Sequence, residues 1–214
     1  MMGTKPARRT RREFLEAAVV VPAGFLVASA AERWLKGLQP FAAAATAQAL
    51  QPTPACPDAD DVTAPQTEGP FFKPRSPART SLLEPGMRGT RILLTGYVLT
   101  TECRPVTRAL LDFWHADNGG IYDNAGFRLR GHQFTDGAGR YSLETIIPGL
   151  YPGRTRHFHV KVQAANQPVL TTQLYFPGEP RNQTDAIFDR RLVIAVRETG
   201  SGRAATFNFV LRRA

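Results

Sequence analysis

The chain has 214 residues, with 18 glycines, 17 prolines and a formal net charge of +9. Less an N-terminal segment, that length suits one domain, and many short apolar runs between turn residues favour an all-β sandwich or barrel over a helical protein. The first 47 residues carry +4 of the charge and the other basic side chains are dispersed, which argues against a nucleic-acid partner and leaves a surface mildly favourable to anionic ligands.

Residues 1–47 are expected to be a targeting segment. Thr10-Arg11-Arg12-Glu13-Phe14-Leu15-Glu16 resembles the twin-arginine export signature, which makes that export machinery an expected partner. Ala17 to Ala31 follows as a moderately apolar stretch of 15 residues. A membrane span needs about 20, so no stable span is expected after processing, and the location is periplasmic or extracellular. Small-residue cleavage patterns occur at Ala28-Ser29-Ala30 and at Ala45-Thr46-Ala47, with cleavage after Ala49 also open. The second is preferred, because the Ala-rich stretch between them lacks a domain-like pattern. Cys56 and Cys103 are the only cysteines, and an oxidising compartment suggests that they form one bridge.

Residues 48–214 are expected to form the folded domain, an antiparallel β-sandwich of seven to nine strands. Residues 48–64 read as an extended Pro-rich lead-in, followed by a turn at Thr67-Glu68-Gly69-Pro70-Phe71-Phe72. Arg91 to Thr100 predicts a strand with a glycine break, and Ala109 to Ala116 another, before a turn at Asn118-Gly119-Gly120. Gln133 to Thr145 reads as a hairpin around Asp136-Gly137-Ala138-Gly139. His157 to Ala164, Val169 to Phe176, Leu192 to Val196 and Ala205 to Leu211 complete the set. Only the N-terminal segment has a convincing helical pattern.

Two of the four histidines lie one residue apart, at His157 and His159. In a strand, residues i and i+2 share a face, so both can reach one metal while Phe158, Val160 and Val162 point into a core. If Tyr151 joins them, the mixture of imidazole and phenolate suits a hard, oxidised metal better than zinc.

Five ordered blocks resemble the intradiol ring-cleavage dioxygenases, non-haem iron(III) enzymes that open catechol rings. They are Gln66-Thr67-Glu68-Gly69-Pro70-Phe71; Phe113-Trp114-His115-Ala116-Asp117 through Gly120-Ile121-Tyr122; Arg130-Gly131 with Thr135-Asp136 and Gly139-Arg140-Tyr141; Ile147 through Pro152 with Arg154, His157 and His159; and Thr172-Gln173-Leu174-Tyr175-Phe176. The resemblance implies an Fe(3+) cofactor held by Tyr122, Tyr151, His157 and His159, with a catecholic substrate and O2 as reactants. Both oxygen atoms would enter between the hydroxylated carbons, giving a cis,cis-muconate-type diacid. It implies that Tyr151 is the ligand displaced by catechol, its phenolate taking a substrate proton, that Arg154 stabilises carbanion-like charge on the ring, and that Gln173 orients Arg154. The twin-arginine route carries folded cargo, which suits a protein that loads its metal before export.

Other candidates read as structural. His115 is expected to support rather than ligate, His132 to lie at a surface or rim, and Asp117, Asp123 and Asp136 to cap turns. Tyr141, Tyr175 and Trp114 are expected in the core, the indole N–H satisfied locally. Departures from the family pattern are Phe71, where a tyrosine is common, and only Pro152 and Gly153 between Tyr151 and Arg154. The short step should leave the pocket open. No helical dimerisation region of the catechol 1,2-dioxygenase type is evident, and homo-oligomerisation is left open. Two other readings compete: a metal-free sandwich used as a binding module, and a copper or zinc enzyme using His157, His159 and His115.

Overall fold

A computed structural model describes residues 62–212; the export signature, the cleavage motifs and Cys56 lie outside them. Nine strands form two sheets: β1 (Arg91–Thr100), β2 (Leu110–Trp114), β3 (Arg130–Phe134), β4 (Arg140–Ile146), β5 (His157–Gln163), β6 (Leu170–Tyr175), β7 (Ala195–Thr199), β8 (Gly202–Thr206) and β9 (Phe209–Leu211). One sheet runs β4-β1-β8-β7, with β9 also on β1, and the other runs β3-β2-β5-β6. The described residues contain no α-helix, only 3-10 turns at Pro180–Gln183 and Arg190–Leu192. None of their helices is long and apolar enough to cross a membrane.

The core lies between the sheets. Period-2 alternation turns Leu111 and Phe113 of β2 and Phe158, Val160 and Val162 of β5 toward Ile92, Leu94, Leu143 and Phe209 of the opposite sheet. The expected inward set of β5 is therefore found. Its alternate residues, His157, His159 and Lys161, stand on the outer face of the β3-β2-β5-β6 sheet.

The expected all-β sandwich is found, and four finer expectations need correction. Gln133 to Thr145 is not a hairpin: the Asp136–Gly139 turn forms, with the Asp136 N–H donating to the Arg140 carbonyl at 3.0 Å. Its arms diverge, however, β3 pairing with β2 and β4 with β1. The sandwich is mixed rather than purely antiparallel, because β8 and β9 both run parallel to β1. Leu192 to Val196 begins in a 3-10 turn, and the strand starts only at Ala195. The last predicted strand is split at Phe207–Asn208, where the backbone comes down onto Gly96. A Cβ on Gly96 would sit 1.8 Å from the Phe207 carbonyl oxygen, so the glycine break in β1 is what admits this crossing.

Candidate metal centre

Cross-strand register assembles the site. Trp114 of β2 pairs with Arg130 of β3 and His159 of β5, and His159 pairs with Gln173 of β6, giving one row across the outer face. His157 stands one step along, opposite Tyr175. Loops between strands bring the two tyrosines over this floor. Gly120 and Gly149 let those loops touch: a Cβ on Gly120 would lie 2.2 Å from the Leu150 carbonyl oxygen, and one on Gly149 would lie 2.4 Å from the Gly120 nitrogen. Gly120 also takes φ 84°, a left-handed conformation costly for other residues.

Three of the four expected ligand atoms converge. His157 Nε2 lies 3.1 Å from His159 Nε2 and 3.2 Å from the Tyr122 hydroxyl. The Tyr151 ring stands edge-on to Tyr122 with centroids 5.9 Å apart. The Thr155 carbonyl can only accept, so the 2.6 Å contact requires His157 Nδ1 to carry the proton. That leaves the Nε2 lone pair facing its neighbours. Two donor atoms about 2.1 Å from one ion and near a right angle are about 3 Å apart, so the observed spacings fit a shared cation. Two imidazoles with phenol oxygens form the donor set, and the described residues hold no group of three or more His, Cys, Asp or Glu side chains placed to hold a metal ion. That chemistry fits ferric iron.

Aromatic packing encloses the donors. Trp114 stacks on His159 at 4.8 Å and 8°, and Phe71 stacks on Tyr122 at 4.3 Å and 14°. Burial therefore dominates the electrostatics. It lowers the His157 pKa to about 4, with the Thr155 hydrogen bond opposing and Arg154 reinforcing the shift. Burial also holds His159 well below its ordinary value, helped by His157. It raises the Tyr122 phenol well above its ordinary value, against the pull of Arg154 and Arg130. Both imidazoles are neutral at pH 7, while Tyr122 needs a nearby cation to ionise.

Arg154 and Gln173 meet: Arg154 Nη2 donates to Gln173 Oε1 at 2.6 Å, and Gln173 Nε2 donates to the Thr67 carbonyl at 2.9 Å. Asp185, which sequence reasoning missed, accepts from Arg154 Nε at 2.9 Å. Burial acts to raise its carboxyl, but N–H groups of Thr155, Ile187 and Arg154 outweigh that and hold it below the ordinary range.

His115 does not join the centre. Its Nδ1 donates to the Ala116 carbonyl at 2.7 Å and its Nε2 accepts from Thr145 at 2.8 Å, which removes the His157, His159 and His115 metal triad. Asp117, Asp123 and Asp136 accept backbone N–H groups, as expected of turn caps. His132 is half-buried against Ser76. Tyr141 and Tyr175 are buried. The indole of Trp114 departs from expectation, since its N–H has no partner among the described residues. Arg130 was read only as part of a motif block, yet it is 1% exposed and ties the chain beside Tyr122 to that beside Phe71. The rim is open: Ile121, Leu150, Pro152 and Gly153 are all exposed.

The family model described as Dioxygenase matches residues 67–213. The solved dioxygenase domain of a dioxygenase carbohydrate-binding protein fusion from the cellulolytic bacterium Streptomyces sp. SirexAA-E is 60% identical, with a TM-score of 0.71, covering 72% of this chain and all of that one. The protocatechuate 3,4-dioxygenase beta chain of Burkholderia cepacia is 33% identical over 58% of this chain and 65% of its own length. The hydroxyquinol 1,2-dioxygenase of Rhizobium sp. strain MTP-10005 is 30% identical over 56% of this chain and 50% of its own. This chain thus spans between half and two thirds of those two curated relatives. The matched region carries every residue gathered on the outer sheet face, and this chain belongs to the intradiol ring-cleavage dioxygenase family.

Proposed function

We propose that the chain is an Fe(III)-dependent intradiol dioxygenase acting on catecholic aromatics outside the cytoplasm, with residues 48–214 as its exported domain. The observation that carries this reading is the convergence of Tyr122, His157 and His159 at 3.1–3.2 Å, with Tyr151 beside them. Tyr122, Tyr151, His157 and His159 would hold ferric iron, which would supply Lewis-acid activation of a catecholate toward O2. The protein's own residues do the rest. Thr155 holds the tautomer of His157, and Trp114 fixes the ring plane of His159. Tyr151, half-buried beside Tyr122, would accept a catechol proton at its oxygen as the phenolate. Arg154, held by Gln173, places fixed positive charge where negative charge develops on the ring. Phe71, Phe72 and Trp114 keep water from the inner side, while the exposed rim admits ring substituents.

The 60% identical solved domain comes from a dioxygenase carbohydrate-binding protein fusion of a cellulolytic bacterium, which supports including lignin-derived catechols among the substrates tested. The test is oxygen uptake by the iron-loaded protein against protocatechuate, catechol, hydroxyquinol, chlorinated and lignin-derived catechols, with product identification. Muconate-type diacids are expected from a purple-to-red protein whose colour is bleached by Tyr151→Phe or His159→Ala. A colourless, iron-free preparation that cannot be reconstituted refutes the reading.

A further inference from the structure

We propose that Asp185 is a positioning residue for Arg154, setting the guanidinium for the ring-opening step; this inference rests on the dioxygenase reading. Asp185 sits 31 residues after Arg154, on the turn that follows Pro180–Gln183. That turn is tied to the segment from Tyr151 to His157 along its length. Glu179 pairs with Arg156 at 2.7 Å, and Arg181 Nη1 donates to the Tyr151 carbonyl at 3.2 Å. Thr155 Oγ1 donates to Asn182 at 2.7 Å, and Asp185 closes the series. Its Oδ2 accepts both Arg154 Nε and the Thr155 N–H at 2.9 Å, while Oδ1 accepts the Ile187 N–H at 3.2 Å.

The Asp185 side chain is 2% exposed and that of Arg154 is 19% exposed, so this is a shielded ion pair rather than a surface contact. Asp185 takes Nε and Gln173 takes Nη2, which fixes the plane of the fork. Nη1 is left without a partner among the described residues, as a group acting on a substrate requires. Without Asp185 only Nη2 would be held, by Gln173 at 2.6 Å and, more loosely, by the Tyr175 hydroxyl at 3.5 Å, leaving Nε unanchored.

Asp185→Asn keeps an oxygen for Thr155 and removes the charge that holds Nε. In 15N NMR of the metal-free protein, the Arg154 Nε–H resonance, assigned by its loss in Arg154→Lys, should be protected in the parent and shifted or broadened away in Asp185→Asn. In the iron-loaded enzyme, kcat should fall about 10–100-fold, the range for lost orienting contacts. KM, iron content and the tyrosinate absorption band should stay put. In an Arg154→Ala background, adding Asp185→Asn should change kcat less than about two-fold.

An unchanged resonance with unchanged kcat overturns the proposal. So does an equal loss in the Arg154→Ala background, or loss of iron and colour together, which would mean that Asp185 acts through Thr155 on His157. If Asp185→Asn does not fold, Asp185→Glu keeps the charge and displaces it. A displaced resonance with reduced kcat then supports the proposal, and parent-like values refute it. A parent protein that binds iron but opens no catechol refutes the dioxygenase reading, while the NMR arm still reads the Asp185–Arg154 contact separately.

Discussion

Replacing Arg130 by methionine should destabilise this domain more than most single changes. Its side chain is 1% exposed and has no carboxylate within ion-pair distance among the described residues. Nε and Nη2 donate to the Asp123 carbonyl at 3.1 and 2.9 Å, and Nη1 donates to the Phe71 carbonyl at 2.6 Å. Two carbonyls are served, and a hydrogen bond to a charged group contributes about 1.5–3 kcal/mol net, giving about 3–6 kcal/mol. Counting the orphaned carbonyls at about 1–3 kcal/mol each gives about 2–6 kcal/mol, and the two routes overlap near 4. For a chain of this size that is a fall in Tm of about 8–16 °C. Differential scanning calorimetry of the metal-free protein measures it, with Arg128→Met, at an exposed position two residues earlier, as the control. Asp123 follows Tyr122, and Phe71 stacks on Tyr122, so the variant should also bind ferric iron about 10–100-fold more weakly. A Tm within about 3 °C of the parent refutes the reasoning.

His115 should make stability pH-dependent. Burial depresses its pKa to about 4 from 6.5, so the unfolded chain takes up a proton that the fold refuses, and stability falls as pH drops through that window. The loss is about 2 kcal/mol between pH 7 and pH 5, and denaturant titrations of His115→Gln should show a slope flatter by that amount; parallel slopes count against it. A Cys56–Cys103 bridge closing about 48 residues is worth on the order of 4 kcal/mol by the chain-entropy model. Non-reducing peptide mass spectrometry of exported protein should find the linked peptides, and two alkylatable thiols would dismiss them. Exchanging Arg11 and Arg12 for lysine should leave the protein in the cytoplasm; unchanged export in a fractionation assay contradicts the signal.

What was legible in the sequence is what depends on local periodicity. Alternation in His157–Gln163 placed the histidines on one face and Phe158, Val160 and Val162 on the other, and that division is found. Partner choice is not local. The Asp136–Gly139 turn has the same chemistry whether its arms pair with each other or enter opposite sheets, so the hairpin reading failed although the turn was right. Nor does alternation encode direction, which is why the parallel seating of β8 and β9 on β1 was invisible.

The site divides along the same line. Tyr122, Tyr151, His157, His159, Arg154 and Gln173 were reachable because ordered motif blocks carry them, and the fold brings them together on one sheet face. The residues that hold them were not reachable. Arg130 looks like any surface arginine until its carbonyl partners are seen, and Trp114 reads as core until it is found stacked on His159. Asp185 belongs to an irregular turn without periodicity and contacts a residue 31 positions away. A reactive group can be named from its own chemistry, whereas the group that orients it may be any carboxylate, carbonyl or ring that the tertiary fold delivers. The short step from Tyr151 to Arg154 sharpens this point. With only Pro152 and Gly153 between them, both exposed, the step is a turn closed by the Arg154 N–H on the Tyr151 carbonyl at 3.1 Å, and the Glu179–Asp185 turn braces it from outside.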